Sequence, residues 1–296
     1  MNNVRNDTVF NGIKVENAVQ KIIEHSTNAI FIVEGNILRG NIRLCPNMND
    51  AKFIYVTDDM SLGRAAPAIL SDEFTKLRAK ALNNPFGKSY TAENCRQDSA
   101  ELKSLSEYKN AEIILLQFDD YISQIWQLAM QAYIEQLGIT DHIKRLCIDD
   151  SSFCINSVDN IDIDGSHNAF YSLMCRYNPI NSERYLIEPD AIGCYLDINS
   201  PTGKLRDYIR NVSSQFESPF RAYVKFLNDF PKWGLSDNSF FKLVIETLSK
   251  DERYIDKIRN WKRIIKRACP VNFIQTGDAG ITPAPNILIR QPKPDV

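Results

Sequence analysis

The stretch from Ala111 to Leu137, AEIILLQFDDYISQIWQLAMQAYIEQL, is the most apolar in the chain and limits what can form around it. Leu115, Phe118, Ile122, Ile125, Ala129 and Tyr133 recur at three- and four-residue steps, the period of a helix with one buried face. Trp126, Met130 and Ile134 add a second apolar row, so wide burial is expected. Gly138 follows as a cap, since glycine accepts the left-handed conformation that ends many helices. The spacing predicts a helix over most of 108–137, with Ile113–Leu116 as an alternative short buried strand. Asp119 and Asp120 then fall mid-helix and read as a solvent-facing kink, a paired-carboxylate site being the alternative.

A chain of 296 residues makes one large domain or two small ones and can bury a substantial core. Its hydrophobic fraction of 44% and charged fraction of 24% are those of a globular protein, which excludes a disordered class. The net charge of −2 gives no global attraction for polyanions, so any such binding needs a local patch. Only 12 glycines are present, which argues against folds built on glycine-rich phosphate loops. Cys45, Cys95, Cys147, Cys154, Cys175, Cys194 and Cys269 are scattered and never spaced as CxxC, against structural zinc and for reduced cytoplasmic thiols. The start, MNNVRNDTVFNG, has no signal-peptide core, and no run of about 18 apolar residues exists to span a membrane. A soluble, cytoplasmic protein is expected.

Along the chain, Val15, Ala18, Val19, Ile22 and Ile23 predict a helix over 14–25. Ile30–Val33, Ile37–Leu44 and Phe53–Val56 read as strands punctuated by Gly35-Asn36 and Pro46-Asn47, hence an antiparallel meander. Ser71 caps a helix at 72–82, and residues 83–98 read as a loop. Thr140-Asp141 opens a short helix at 141–147, residues 149–168 form an acidic connector, and Asn168–Tyr177 is helical. Tyr185–Glu188 and Gly193–Ile198 pair as a hairpin around Pro189-Asp190. Helices follow at 202–215, 218–229, 237–249 and 251–268, with Pro219, Pro231 and Gly234 at the breaks, then an extended Pro-rich tail from Pro270 that can wrap a protein partner. The class is α+β and helix-dominated, with an N-terminal antiparallel β-meander, a central buried helix and a helical C-terminal half. A boundary in 150–165 divides it into 1–150 and 151–296, one continuous domain being the alternative.

The hairpin carries the main chemical lead. Asp190 and Asp197 would meet across its turn, with Asn199 on the face of Asp197, and such carboxylates hold Mg²⁺ or Mn²⁺ for phosphodiester cleavage. The layout resembles the PD-(D/E)xK nucleases, with Asn199 standing where that pattern has lysine and Lys204 next in line to face phosphate. The same strand, GCYLDIN followed by PTGKL, is similar to the D-x-D strand of GT-A glycosyltransferases, which implies a metal under a nucleotide sugar; Asn199 replaces the second aspartate. Asn160-Ile-Asp162-Ile-Asp164-Gly165 resembles the first half of a calcium loop, but Tyr171 occupies the twelfth position where glutamate belongs. Gly87-Lys88-Ser89 ends like a phosphate loop whose first glycine is replaced by Leu82, and is set aside. Among the three histidines, His167 is the one that can pair with Cys154 or Cys194 as a nucleophile, with no local motif in support.

The last helix carries a binding lead. Lys257, Arg259, Lys262, Arg263, Lys266 and Arg267 occur within eleven residues without an acid, opposite an apolar row of Ile255, Ile258, Trp261, Ile265 and Ala268. Such a helix can lie on phosphates, on anionic lipid or on an acidic partner. Three functional expectations follow: a protein acting on DNA or RNA as a metal-dependent nuclease, a nucleotide-sugar-dependent glycosyltransferase, and a non-catalytic interaction protein.

Overall fold

The structure is a computed structural model and describes residues 10–26, 28–35, 52–56, 58, 60–68, 71–83, 91–108, 111–139 and 143–268. Its elements are α1 (Val15–His25), β1 (Ala29–Glu34), β2 (Lys52–Val56), α2 (Asp72–Ala81), α3 (Ala92–Lys103), β3 (Glu112–Phe118), α4 (Tyr121–Gln136), β4 (Ile143–Asp149) and β5 (Cys154–Ile161). A short α5 (Ser166–Phe170) runs into a π turn at Tyr171–Cys175, and α6 (Pro189–Asn199), α7 (Lys204–Gln215), α8 (Pro219–Asp229), α9 (Asp237–Leu248) and α10 (Ile255–Ala268) follow among the described residues. The mixed class with dominant helices agrees with the sequence.

The strands form one sheet in the order β2-β1-β3-β4-β5. The N-terminal antiparallel meander is corrected: β1 pairs parallel with both β2 and β3, β3 pairs parallel with β4, and β5 alone runs antiparallel. Every residue of β1 is buried, which is the mark of a strand covered on both faces, as parallel strands are. Phe31 and Val33 pack with α1 on one face, while Ile30 and Ile32 pack toward α4 on the other. The expected strand at Ile37–Leu44, the Gly87-Lys88-Ser89 segment and the Pro-rich tail lie outside the described residues.

The central apolar stretch divides into strand and helix. Glu112–Phe118 is β3, so the alternative strand reading holds there, and the helix starts only at Tyr121. Asp120 is therefore its N-cap, accepting from Ser123 N at 2.7 Å, and not a mid-helix kink. All residues from Ile122 to Ile134 are buried, and the glutamines among them find partners. Gln124 exchanges two hydrogen bonds with Glu188, Gln127 donates to Tyr185 O, and Gln131 donates to Asp162 O. These bonds tie the segments around α5 and α6 onto α4 and satisfy amides that would otherwise be costly to bury.

Other boundaries move for local reasons. Ser71 caps α2 as expected, accepting from Phe74 N at 3.1 Å. The loop expected at 83–98 gives way from Ala92 to α3, opened by a capping box between Thr91 and Asn94. Ile143–Asp149 is β4 rather than a helix, and the polar connector holds β5. The hairpin at 185–198 does not form. Pro189 takes the first helical position, where its missing N–H costs nothing, and α6 runs through the supposed second strand. Among the described residues no helix is long and apolar enough to cross a membrane.

Three apolar clusters organise the packing: one under α1, one between the sheet and α2–α6, and one among α7–α10. The third reaches Ile122 in the first turn of α4 and Leu62, so the C-terminal helices sit against the N-terminal end of α4. That end adjoins the carboxyl ends of β1 and β3.

Candidate functional site

The expected hairpin site is dispersed by α6. Asp190 is exposed in its first turn and Asp197 lies in its last, seven residues and about 10 Å of helical rise away, so the two do not converge on one ion. The Asp197 carboxylate instead caps α7: Lys204 N donates to Oδ1 at 2.6 Å and Leu205 N to Oδ2 at 2.9 Å. Gly203 makes this approach possible, because a Cβ there would overlap Asp197. Asn199 accepts from Gly63 N at 2.6 Å and donates to Ser61 O and Tyr195 O, a structural clamp. Lys204 is exposed at the start of α7.

The half calcium loop is also engaged elsewhere. Arg184 donates to Asp162 at 3.0 Å and to Asp164 at 2.6 Å, so a guanidinium sits where a cation would. Neither cysteine–histidine pair forms. Cys194 is buried and its thiol is pushed up by that burial, and Cys154 faces Ser152. His167 contacts Pro67 O.

The basic helix is intact. Ile258, Trp261 and Ile265 of α10 are buried in the C-terminal cluster, and Trp261 Nε1 donates to Glu217 O at 2.7 Å. Lys257 pairs with Glu217 and Arg259 with Asp256. Lys262, Arg263, Lys266 and Arg267 have no ion pair among the described residues, and all but the half-buried Lys262 are exposed.

A second constellation stands at the carboxyl edge of the sheet. The strand order places the reversal of winding between β1 and β3, and in open sheets of this kind ligands bind in the crevice outside the carboxyl ends at that point. Glu34 ends β1 there, buried, and Asp119 and Asp120 follow β3. Ser123 braces two of these carboxylates: its hydroxyl donates to Glu34 Oε1 at 2.9 Å and its amide to Asp120 Oδ1 at 2.7 Å. Phe118 N donates to Glu34 Oε2 at 3.2 Å, and Asp119 accepts from Asn156 Nδ2 at 2.5 Å. One step beyond the paired Val33 and Leu116, Gln117 stands beside Glu34 on the α4 face, fully buried with Oε1 unpartnered.

The electrostatics single out Asp120. Burial pushes its carboxyl up to about 6 against the opposing hydrogen bonds from Ser123, and the Asp150 charge beyond β4 adds to the rise. Asp150 is itself raised, by partial burial first and by Asp149 second. The cover over Asp120 is a strap between α8 and α9. Tyr121 N donates to Lys232 O at 2.8 Å, Ile122 N donates to Trp233 O at 3.3 Å, and Gly234 rests on the carboxylate.

Sequence reasoning noted Asp119-Asp120 but placed them inside a helix, and passed over Glu34. The available signal was position: each follows directly on an apolar run, as residues at the carboxyl ends of buried strands do.

The donor set fits Mg²⁺ or Mn²⁺ only in a particular way. Among the described residues no group of three or more histidine, cysteine or acidic side chains is placed to hold a metal. Mg²⁺ does not need one, since it binds through one or two carboxylates, keeps several waters and takes substrate phosphate oxygens. Glu34 and Asp120 offer those carboxylates and the Gln117 oxygen an unused acceptor. Comparison with protein-family models, curated proteins and solved structures finds no match.

Proposed function

We propose that this protein acts on nucleic acid, handling a phosphodiester with Mg²⁺ or Mn²⁺ at the carboxyl edge of the sheet, through Glu34 and Asp120 rather than Asp190 and Asp197. The observation that carries this reading is the bracing of Glu34 and Asp120, at the ends of adjacent strands, by the single residue Ser123. A cation there would draw Asp120 back to its ionised form, offsetting the burial that raises it. When bound, such an ion activates water and neutralises charge developing on phosphate. This chain's own part is to fix the carboxylates: Ser123 and the Phe118 amide orient Glu34, and the helix cap orients Asp120. The strap at Lys232–Gly234 lies over Asp120 and has to shift for a phosphate to reach it. With Asp197 committed to α7 and Asn199 to the backbone of Ser61 and Gly63, no observation favours the nucleotide-sugar reading.

The test is the thermal unfolding midpoint with and without Mg²⁺ or Mn²⁺, for the wild type, Glu34→Gln, Asp120→Asn and Asp190→Asn. A ligand confined to the folded state adds about 2.7 kcal/mol at a hundredfold excess over its Kd. The wild type and Asp190→Asn are expected to gain with metal, and Glu34→Gln and Asp120→Asn to lose the gain. A wild type indifferent to both ions, or a gain retained in Glu34→Gln, would overturn the reading.

A further inference from the structure

The basic face of α10 carries four cations without an ion pair among the described residues, and the carboxyl edge does not account for them. At about 100° per residue, Arg259, Lys262, Arg263, Lys266 and Arg267 fall within an arc of about 140°. Ile258, Trp261 and Ile265 fall outside that arc, together on the opposite side, and are buried against the C-terminal helices. The ion pairs that this helix makes, Lys257 with Glu217 and Arg259 with Asp256, leave its other four cations without one. Three exposed cations, Arg263, Lys266 and Arg267, with the half-buried Lys262 beside them, therefore lie along about 7.5 Å of helix without an ion pair, or one positive charge per ~2 Å.

That density selects among polyanions. Duplex nucleic acid carries one negative charge per ~1.7 Å of its axis with both strands counted, and ~3.4 Å along either one, the same order as the spacing α10 presents. An amphipathic helix that binds lipid must insert its apolar face, and here that face is committed to the core by Trp261 and its neighbours. A surface able to offer charge alone suits a rigid phosphate backbone.

We propose that the outer face of α10 is a docking track for the phosphate backbone of duplex nucleic acid, with Lys262, Arg263, Lys266 and Arg267 as its contacts. This deepens the reading above by naming the substrate class, and rests on that reading only for the substrate's chemistry, not for the metal. The contacts are to phosphate, so binding is independent of base sequence and strongly dependent on salt.

The experiment is fluorescence anisotropy of a labelled DNA duplex titrated with the full chain in EDTA, over a range of salt. Four released counterions give a slope of log K on log[salt] of about −3.6, a loss of about 150-fold between about 50 and 200 mM. Arg263→Gln is expected to lower the slope by about one contact, and the quadruple glutamine variant to remove most of the binding. Lys225→Gln, whose cation is ion-paired with Asp229 on α8, is expected to bind as the wild type does. Wild-type affinity and slope in the quadruple variant would overturn the proposal. So would tighter binding to phosphatidylserine vesicles than to duplex at the same salt. EDTA separates this result from the metal reading: failure here leaves the metal-dependent midpoint untouched, and failure there leaves this titration untouched.

Discussion

Gly234 rests on the carboxylate of Asp120, closely enough that a Cβ in place of its hydrogen would overlap both Asp120 oxygens. The glycine has φ +70°, a conformation that L side chains rarely adopt, so both shape and backbone call for glycine. It belongs to a strap that also gives two carbonyls to the first amides of α4. A helix cap, a half-buried acid and an inter-helix connection thus meet at one glycine.

Gly234→Ala is expected to lift the strap. The left-handed backbone alone costs a non-glycine residue about 1–2 kcal/mol, and the overlap adds to it. Urea unfolding should show that loss. Acrylamide quenching should rise as well, since Trp126 and Trp261 are buried and Trp233 on the strap is half-exposed. Unchanged unfolding and quenching would mean that the strap is not seated on Asp120.

Asp120 predicts a pH dependence of defined sign. Its carboxyl rises from 3.8 to about 6, so the folded chain holds the proton more tightly than the unfolded one. The stabilising share is complete below pH ~4, falls as pH rises toward 6 and is gone above it, a change of about 3 kcal/mol at ~1.4 kcal/mol per unit. Asp120→Asn should therefore be the more stable chain at pH 7 and show a flatter profile between about pH 4 and 6. Asp150 and Asp237, which burial also raises, add slope of the same sign. A profile as steep in Asp120→Asn as in the wild type would contradict this account.

Asp197→Ala is expected to weaken the fold rather than a metal site. It removes the acceptor of two amides at the start of α7 and a negative charge from a helix N-terminus. The cost should be about 1–2 kcal/mol in urea unfolding, with the response to Mg²⁺ retained. Wild-type stability combined with loss of the metal response would restore Asp197 as a ligand.

The helices were the most legible part of the sequence, because apolar periodicity marks α1, α2 and α7–α10 and a capping serine opens α2 and α9. Where signals conflicted, the stronger-looking one misled. Pro189-Asp190 reads as a turn, yet proline is equally at home in the first turn of a helix, and the tertiary contacts of Asn199 and Tyr195 settle α6. Ile30–Val33 was recognised as a strand, but its unbroken apolar run also signalled burial on both faces and hence parallel neighbours. β5 was missed because Asn156, Asp159 and Asn160 make it polar, as an edge strand with a wet side can be. The carboxyl-edge acids were visible as residues and invisible as a site, since strand order brings Glu34 beside residues more than eighty positions later.

The reversed direction of β5 has its own effect on the chemistry of that edge. A parallel fifth strand would have ended there and contributed whatever followed its last residue. Running the other way, β5 begins there, and its early residue Asn156 reaches Asp119 at 2.5 Å. An amide donor thus meets the outermost carboxylate of the row and offsets part of its charge, so the direction of one strand decides which partner Asp119 receives.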